Sequence, residues 1–267
     1  MAFPPVVSAA ERISSEQLRA DFVVENATTK PGDTVTVALR QEIAPGWHTY
    51  WKNPGDSGLA PDLTWKLPKG VNVAEPQWPA PSRKEYGPLV NYGYVNQTAI
   101  LYTLSVPAGW PVGTPLPIEA EAELLVCAEI CIPVYGRLSA SVETGTENRS
   151  DPQTARFFKD ARARLPRPAP WSAEASASGK ELRISLRGPK SAFAAVARAY
   201  FFVDEWGAVT PAAPQKIAVK DDGLMITTER GDGPLGNRLS GVVTLFRTDG
   251  SAETFKLTDV TMSKHKS

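Results

Sequence analysis

Short runs of alternating apolar residues, each cut off by proline or glycine, constrain this chain more than any other feature of its sequence. Leu18, Ala20, Phe22 and Val24 alternate with more polar neighbours, and Val35, Val37 and Leu39 line one face of residues 33–39. A period of two sends successive side chains to opposite faces, which fits a half-buried strand. Between these runs, Lys30-Pro31-Gly32-Asp33 is a turn, because proline fixes φ and glycine accepts a positive one. Residues 99–106, 116–126 and 134–142 repeat the strand pattern. The second half resumes it at 182–186, 200–203, 216–219, 224–228, 242–246 and 254–257, with Asp221-Asp222-Gly223 and Asp249-Gly250 marking hairpin turns. The 24 prolines and 20 glycines supply the punctuation. The pattern predicts an all-β chain built from two small β-sandwiches.

A composition break separates the two halves. The sequence divides into a first domain over 12–146, a connecting stretch over 147–175 and a second domain over 176–264. Ser150 or Asp151 is placed to cap a helix that has Pro152 in its first turn. The run reaches Leu165, and Pro166, Pro168 and Pro170 end it as a stiff linker. Residues 191–199 are alanine-rich and suit a helical turn. The stretch 46–93 gathers Trp47, Tyr50, Trp51, Trp65, Trp78, Tyr86 and Tyr92 among prolines. Most of these rings are expected to be core.

Several function classes fall away. Twenty-nine basic residues balance 29 acidic ones, which argues against a broad electrostatic grip on nucleic acid or anionic lipid. No apolar run approaches the ~18 residues that a membrane helix requires. The start, Met1-Ala2-Phe3-Pro4-Pro5, shows no signal-peptide pattern, and both ends look trimmed, as in a mature or excised fragment. No phosphate-binding glycine loop, nucleophile elbow or zinc-binding helix motif is present. A four-ligand zinc site would need Cys127, Cys131, His48 and His265 to converge, so no metal and no cofactor are expected.

The chemistry concentrates on Cys127 and Cys131, the only two cysteines. On one straight strand their Cα atoms would lie about 13 Å apart, whereas a disulfide requires roughly 4.4–6.8 Å. The chain must bend if they pair. The strand-like flanks favour a hairpin with Ala128-Glu129-Ile130 as its tip. A disulfide closing so small a loop removes little unfolded-state entropy, so it staples poorly. As a redox pair it is well placed, since it can open without disturbing the rest of the fold. An inert local disulfide and two buried thiols stay open as alternatives. Glu129 between the cysteines disfavours a thiolate, which points to a pair that reacts only with a partner's low-pKa thiol inside a docked complex.

The segment Gly46-Trp47-His48-Thr49-Tyr50-Trp51-Lys52-Asn53-Pro54-Gly55-Asp56-Ser57-Gly58 resembles the N-terminal periplasmic region of the DsbD-like membrane thiol:disulfide reductases, and within them the ScsB (suppressor of copper sensitivity) subgroup. Tyr86-Gly87-Pro88-Leu89-Val90-Asn91-Tyr92-Gly93-Tyr94, the stretch 127–133 and Tyr200-Phe201-Phe202-Val203-Asp204-Glu205-Trp206-Gly207 fit as well. The resemblance implies two immunoglobulin-like domains, here joined by the short helix and proline-rich linker, and a periplasmic location. It implies that further membrane and thioredoxin-like domains follow in the full-length protein. Electrons then pass from that thioredoxin-like domain to Cys127 and Cys131, and on to a soluble thioredoxin-fold partner such as an ScsC-like isomerase. Membrane association comes only through the missing C-terminal segments. Cys131 is the cysteine expected to attack or be attacked first. The resemblance also places a cap loop over residues 83–94, with Tyr86, Gly87, Tyr92 and Tyr94 as cap or partner-binding residues. Glu85 stands where some relatives carry phenylalanine, and Val134 follows Pro133 where many carry an acid.

Other candidates have plainer readings beside the functional ones. His48 could serve the thiols as a base, but a packing role is preferred. His48, Glu129 and Pro133 are the residues expected to shape the cysteines' environment. His265 lies in a polar tail. Asp56 and Asp62 suit turns better than pH tuning. Tyr86, Tyr92 and Tyr94 either flank the disulfide or pack in a core. Met225 and Met262 are soft enough for copper(I), without forming a methionine cluster. Three functions therefore compete: a disulfide reductase relay, a non-catalytic binding module with a structural disulfide, and a copper(I)-handling protein. The second domain, lacking cysteine, is expected to position the first and widen the partner surface.

Overall fold

The computed structural model describes residues 10–220 and 222–264. It is nearly all β, as the alternation requires. The chain forms two compact units. The first takes the described residues up to Thr49 together with Pro61–Pro79 and Val95–Ala163, and the second takes Tyr50–Ala60, Ala80–Tyr94 and the described residues from Arg164 on.

The first unit is an immunoglobulin-like sandwich of two five-stranded sheets. One runs in the order Ile13–Ser14, Leu18–Val24, Thr34–Ile43, Gln97–Ser105, Asn72–Val73. The other runs Arg149–Ser150, Asn26–Thr29, Cys131–Thr144, Leu116–Cys127, Asp62–Trp65. The register sets Phe22 opposite Leu39 and Leu39 opposite Ile100, so the apolar positions of neighbouring strands share one face. Phe22 and Tyr102 of the first sheet meet Trp65 of the second, at ring-centroid distances of 5.3 and 5.2 Å. These rings tie the layers together. The expected turn at 30–33 is present, with Gly32 at φ 91° and the Asp33 N–H donating to the Lys30 carbonyl.

The helix runs over Pro152–Ala163. Asp151 is its cap: its carboxylate accepts the Gln153 N–H at 2.9 Å and its carbonyl accepts the Ala155 N–H. Phe158 and Ala161 are the buried face, and Arg162 forks onto the Glu25 carboxylate. After the helix, the proline-rich stretch is hydrogen-bonded into the second unit. Arg167–Pro168 pairs in parallel with Phe255 and Lys256, and Ser172–Ser178 is already a strand.

In the second unit one continuous ladder runs Val196–Val203, Arg238–Arg247, Ala252–Lys264, Ser172–Ser178, Glu181–Arg187, Gly223–Glu229, Lys216–Lys220. Leu182, Ile184, Phe201, Val203, Ile226, Val243 and Leu257 from these strands share one core, so the sheet curls around it. The alanine-rich 191–199 segment splits into a single helical turn, Lys190–Phe193, and the start of a strand. The hairpin at Asp249-Gly250 closes as expected, with Gly250 at φ 85°. Asp221 of the other predicted turn lies outside the described residues.

A three-stranded sheet, Thr49–Gly55, Leu89–Tyr94, Ser82–Tyr86, adds the aromatic stretch to the second unit. Trp51, Tyr92 and Tyr200 surround the Phe202 ring at 6.3, 5.1 and 4.6 Å. The Asn53 amide donates to the Val203 carbonyl at 2.8 Å, and Lys52 pairs with Asp204 at 2.6 Å. Of the aromatic stretch, Tyr50, Trp51 and Tyr92 are buried core, Trp47, Trp65 and Trp78 are half-buried, and Tyr86 is exposed. Gly58, at φ 96°, lies flat against the Tyr50 ring, where a Cβ would sit 2.1 Å from a ring carbon.

Candidate functional site

The strands Leu116–Cys127 and Cys131–Thr144 form one long antiparallel hairpin, from Leu116 opposite Val142 to Cys127 opposite Cys131. Ala128, Glu129 and Ile130 are its tip, where the Ala128 N–H donates to the Ile130 carbonyl. Cys127 and Cys131 are disulfide-bonded across this last pair, with Cα atoms 4.1 Å apart.

The ladder explains why the sulfurs meet. In an antiparallel strand a residue's N–H and C=O point the same way. Both groups of Cys127 are taken by His48 on the other side, at 3.0 and 2.9 Å. Cys127 and Cys131 therefore form a non-hydrogen-bonded pair, the closer type, with side chains brought together. The same parity makes Pro133, opposite Leu125, a non-hydrogen-bonded position. Its missing N–H breaks no bond within the hairpin. Ser139, of the same parity, donates its N–H outward to the Glu11 carbonyl at 3.1 Å.

The two sulfur-bearing residues differ sharply in access. On the outgoing strand the even positions from Leu116 to Val126 are buried and the odd ones face outward, yet outward-facing Cys127 is only 1% exposed. On the returning strand Cys131, Pro133, Tyr135 and Arg137 are all exposed. Cys127 is thus the buried residue of the pair and Cys131 the exposed one. Exchange requires an accessible sulfur, and Cys131 is the exposed residue of the pair.

The residues expected around the pair take distinct places. His48 is buried and holds Cys127 through its backbone. Glu129 is exposed at the tip. Asp62, expected in a turn, sits in the Asp62–Trp65 strand directly opposite Glu123. Two exposed residues near the cysteines were not among the expected site residues: Ile130, placed only at the tip, and Tyr135, at 64% and 65% exposure. Tyr135 donates its hydroxyl to Glu123 at 3.3 Å, and that carboxylate holds the phenol above its usual range. Two apolar residues left outward on a half-buried hairpin were the available signal.

The cap-loop candidates all belong to the second unit. Tyr86 and Leu89 close a hairpin through Gly87-Pro88, with Gly87 at φ 56°. Tyr86 is exposed. Of the two readings left open for Tyr92 and Tyr94, burial favours packing over partner-facing rings. The Tyr92 hydroxyl lies 3.2 Å from that of Tyr200, which donates onward to the Pro211 carbonyl at 3.0 Å, so Tyr92 is the donor to Tyr200. Burial holds the Tyr92 phenol well above its usual range. Asp56 is likewise structural, accepting the Val90 N–H at 2.7 Å. Met225 and Met262 lie in strands of the second unit, whereas the cysteines lie in the first. His265 lies outside the described residues. Among the described residues no group of three His, Cys, Asp or Glu side chains is placed to hold a metal ion, and no helix is long and apolar enough to cross a membrane.

Comparison with known proteins agrees with this geometry. Residues 16–143 match the family described as "Thiol:disulfide interchange protein DsbD, N-terminal". That span holds the disulfide hairpin. Among solved structures, the N-terminal periplasmic domain of ScsB from Proteus mirabilis superposes with a TM-score of 0.67 at 18% identity, covering 94% of this chain and 97% of that one. The GAE domain of yeast GGA1 aligns over 49% of this chain and 98% of its own, at 13% identity and a TM-score of 0.28, too low to carry an argument. No curated protein sequence matches the chain.

Proposed function

We propose that this chain is the periplasmic part of a disulfide reductase and relays two electrons through Cys127 and Cys131 to a thioredoxin-fold partner. The observation that carries this reading is the unequal burial of the paired cysteines, with Cys127 buried and Cys131 exposed. In the reduced state the Cys131 thiolate attacks the partner's disulfide, and one partner sulfur leaves as a thiolate. Cys127 then loses its proton and attacks the Cys131 sulfur. The second partner sulfur leaves, the Cys127–Cys131 bond forms, and two electrons have moved to the partner. A thioredoxin-like domain of the same full-length protein returns the pair to dithiol by the reverse exchange.

Family and fold support this reading, as does the poor value of so small a loop as a staple. An ScsC-like isomerase is the proposed recipient, and the second unit is proposed to position the first without chemistry of its own. The test is mixed-disulfide trapping. A Cys127→Ser variant keeps the attacking sulfur and should accumulate a covalent complex with an oxidised thioredoxin-fold isomerase, whereas Cys131→Ser should form none. Undiminished disulfide reduction by Cys131→Ser would overturn the assignment. Copper(I) handling would instead show as stoichiometric metal binding abolished by thiol alkylation.

A further inference from the structure

The hairpin face that presents Cys131 also carries apolar surface that the fold does not use. Cys131, Pro133 and Tyr135 alternate outward along one strand, a stripe of about 13 Å, with Ile130 beside it at the tip. Ile130 and Tyr135 are the two most exposed large apolar side chains among the described residues of the first unit. They flank the exposed Cys131 in sequence, one on each side.

The rim of this stripe is acidic. Across the sheet from Tyr135 lies Glu123, and across from Glu123 lies Asp62. Carboxylates directly opposite on neighbouring strands repel, so this pair weakens the sheet. One row further, Glu121 is offset by Arg137 at 3.5 Å. Glu129 adds an exposed carboxylate at the tip. Apolar side chains beside an exposed cysteine, with the carboxylates of Asp62, Glu123 and Glu129 around them and Arg137 paired to Glu121 at the far end, are arranged for a protein surface rather than for solvent.

We infer that this stripe is the docking surface for the partner's redox face, with Ile130 and Tyr135 as the apolar anchors and Asp62 and Glu123 as the selecting rim. The inference rests on the relay reading above and adds the chemistry of the partner's surface. Around its active-site cysteine the partner is apolar, and at the edge of that surface it carries lysine or arginine. Apolar anchors set the affinity, and rim charges set the encounter rate and its salt dependence.

Two disulfide probes test this with the full chain in its reduced form. One is an oxidised thioredoxin-fold disulfide isomerase with lysines around its active-site cysteine, and the other is hydroxyethyl disulfide, which needs no docking. The double variant Ile130→Ser/Tyr135→Ser should raise KM for the protein probe about tenfold, with kcat and the rate on hydroxyethyl disulfide unchanged. For the parent chain, added sodium chloride should slow reduction of the protein probe. Asp62→Asn/Glu123→Gln should flatten that dependence. An unchanged KM, or an equal loss on both probes, would overturn the docking surface while the relay stands. Reduction of hydroxyethyl disulfide alone by the parent chain would overturn the relay itself.

Discussion

Two hairpins built on similar patterns use their side chains in opposite ways. Leu116–Cys127 with Cys131–Thr144 leaves its tip and one strand face exposed, with Ile130, Cys131 and Tyr135 outward. Ser82–Tyr86 with Leu89–Tyr94 turns through Gly87-Pro88 and sends Tyr92 and Tyr94 inward. A tyrosine in a strand takes its role from the face that its register assigns to it. Tyr92 packs on Phe202 and is 0% exposed, while Tyr135 touches a surface carboxylate. The first hairpin leaves apolar side chains on the surface, and the second completes a core.

The sharpest test of this contrast is chemical. Cys131→Ser should abolish protein-disulfide reduction, whereas Tyr92→Phe should leave it unchanged, as read by single-turnover mixing with an oxidised thioredoxin-fold protein. Stability should show the reverse. Tyr92→Ala should cost about 3–5 kcal/mol in urea unfolding, and Tyr135→Ala within ~0.5 kcal/mol, as for an exposed site. A comparable cost at both would erase the distinction between the hairpins.

The parity of the disulfide hairpin can be tested one residue at a time. Ile132 pairs with Val126 at a hydrogen-bonded position, so Ile132→Pro should cost about 3 kcal/mol or more. Pro133→Ala should cost only about 0.5–1 kcal/mol, through the freer unfolded chain. Equal penalties would mean that the register is wrong. The smallest effect lies at high pH. Burial raises the Tyr92 phenol in the fold, so its contribution is complete below the unfolded value of ~10 and is lost as pH rises past it. Tyr50, Tyr102 and Tyr200 are raised by burial as well, so Tyr92→Phe should reduce that alkaline limb in a thermal melt without removing it, and by more than Tyr135→Phe does.

Much of the site was legible in the residues. Four-residue spacing between strand-like flanks required a bend, and the bend is the Ala128–Ile130 tip. The exposed apolar pair was harder to read, because strand alternation does not say which face a neighbouring layer will cover. Tyr92 and Tyr94 stayed open between the two readings for the same reason: aromatics in a proline-rich stretch suit a binding surface as well as a core. Residues 50–60 and 80–94 show the limit most clearly. By sequence position they belong with the first half, but they build the second unit. Trimming the chain at residue 172 would therefore strand Trp51 and Tyr92 without Phe202, so it cannot isolate the second unit's role.

Local alternation, proline and glycine placement and cysteine spacing determined the strands, the turns and the redox pair, because each acts through backbone geometry over a few residues. Tertiary structure decided which cysteine is buried, which tyrosines face solvent and which unit claims the aromatic stretch. Those outcomes depend on pairing between strands far apart in sequence, such as His48 with Cys127 and Asn53 with Val203. The period of two fixes that a strand has two faces, and only its neighbours fix which one meets water.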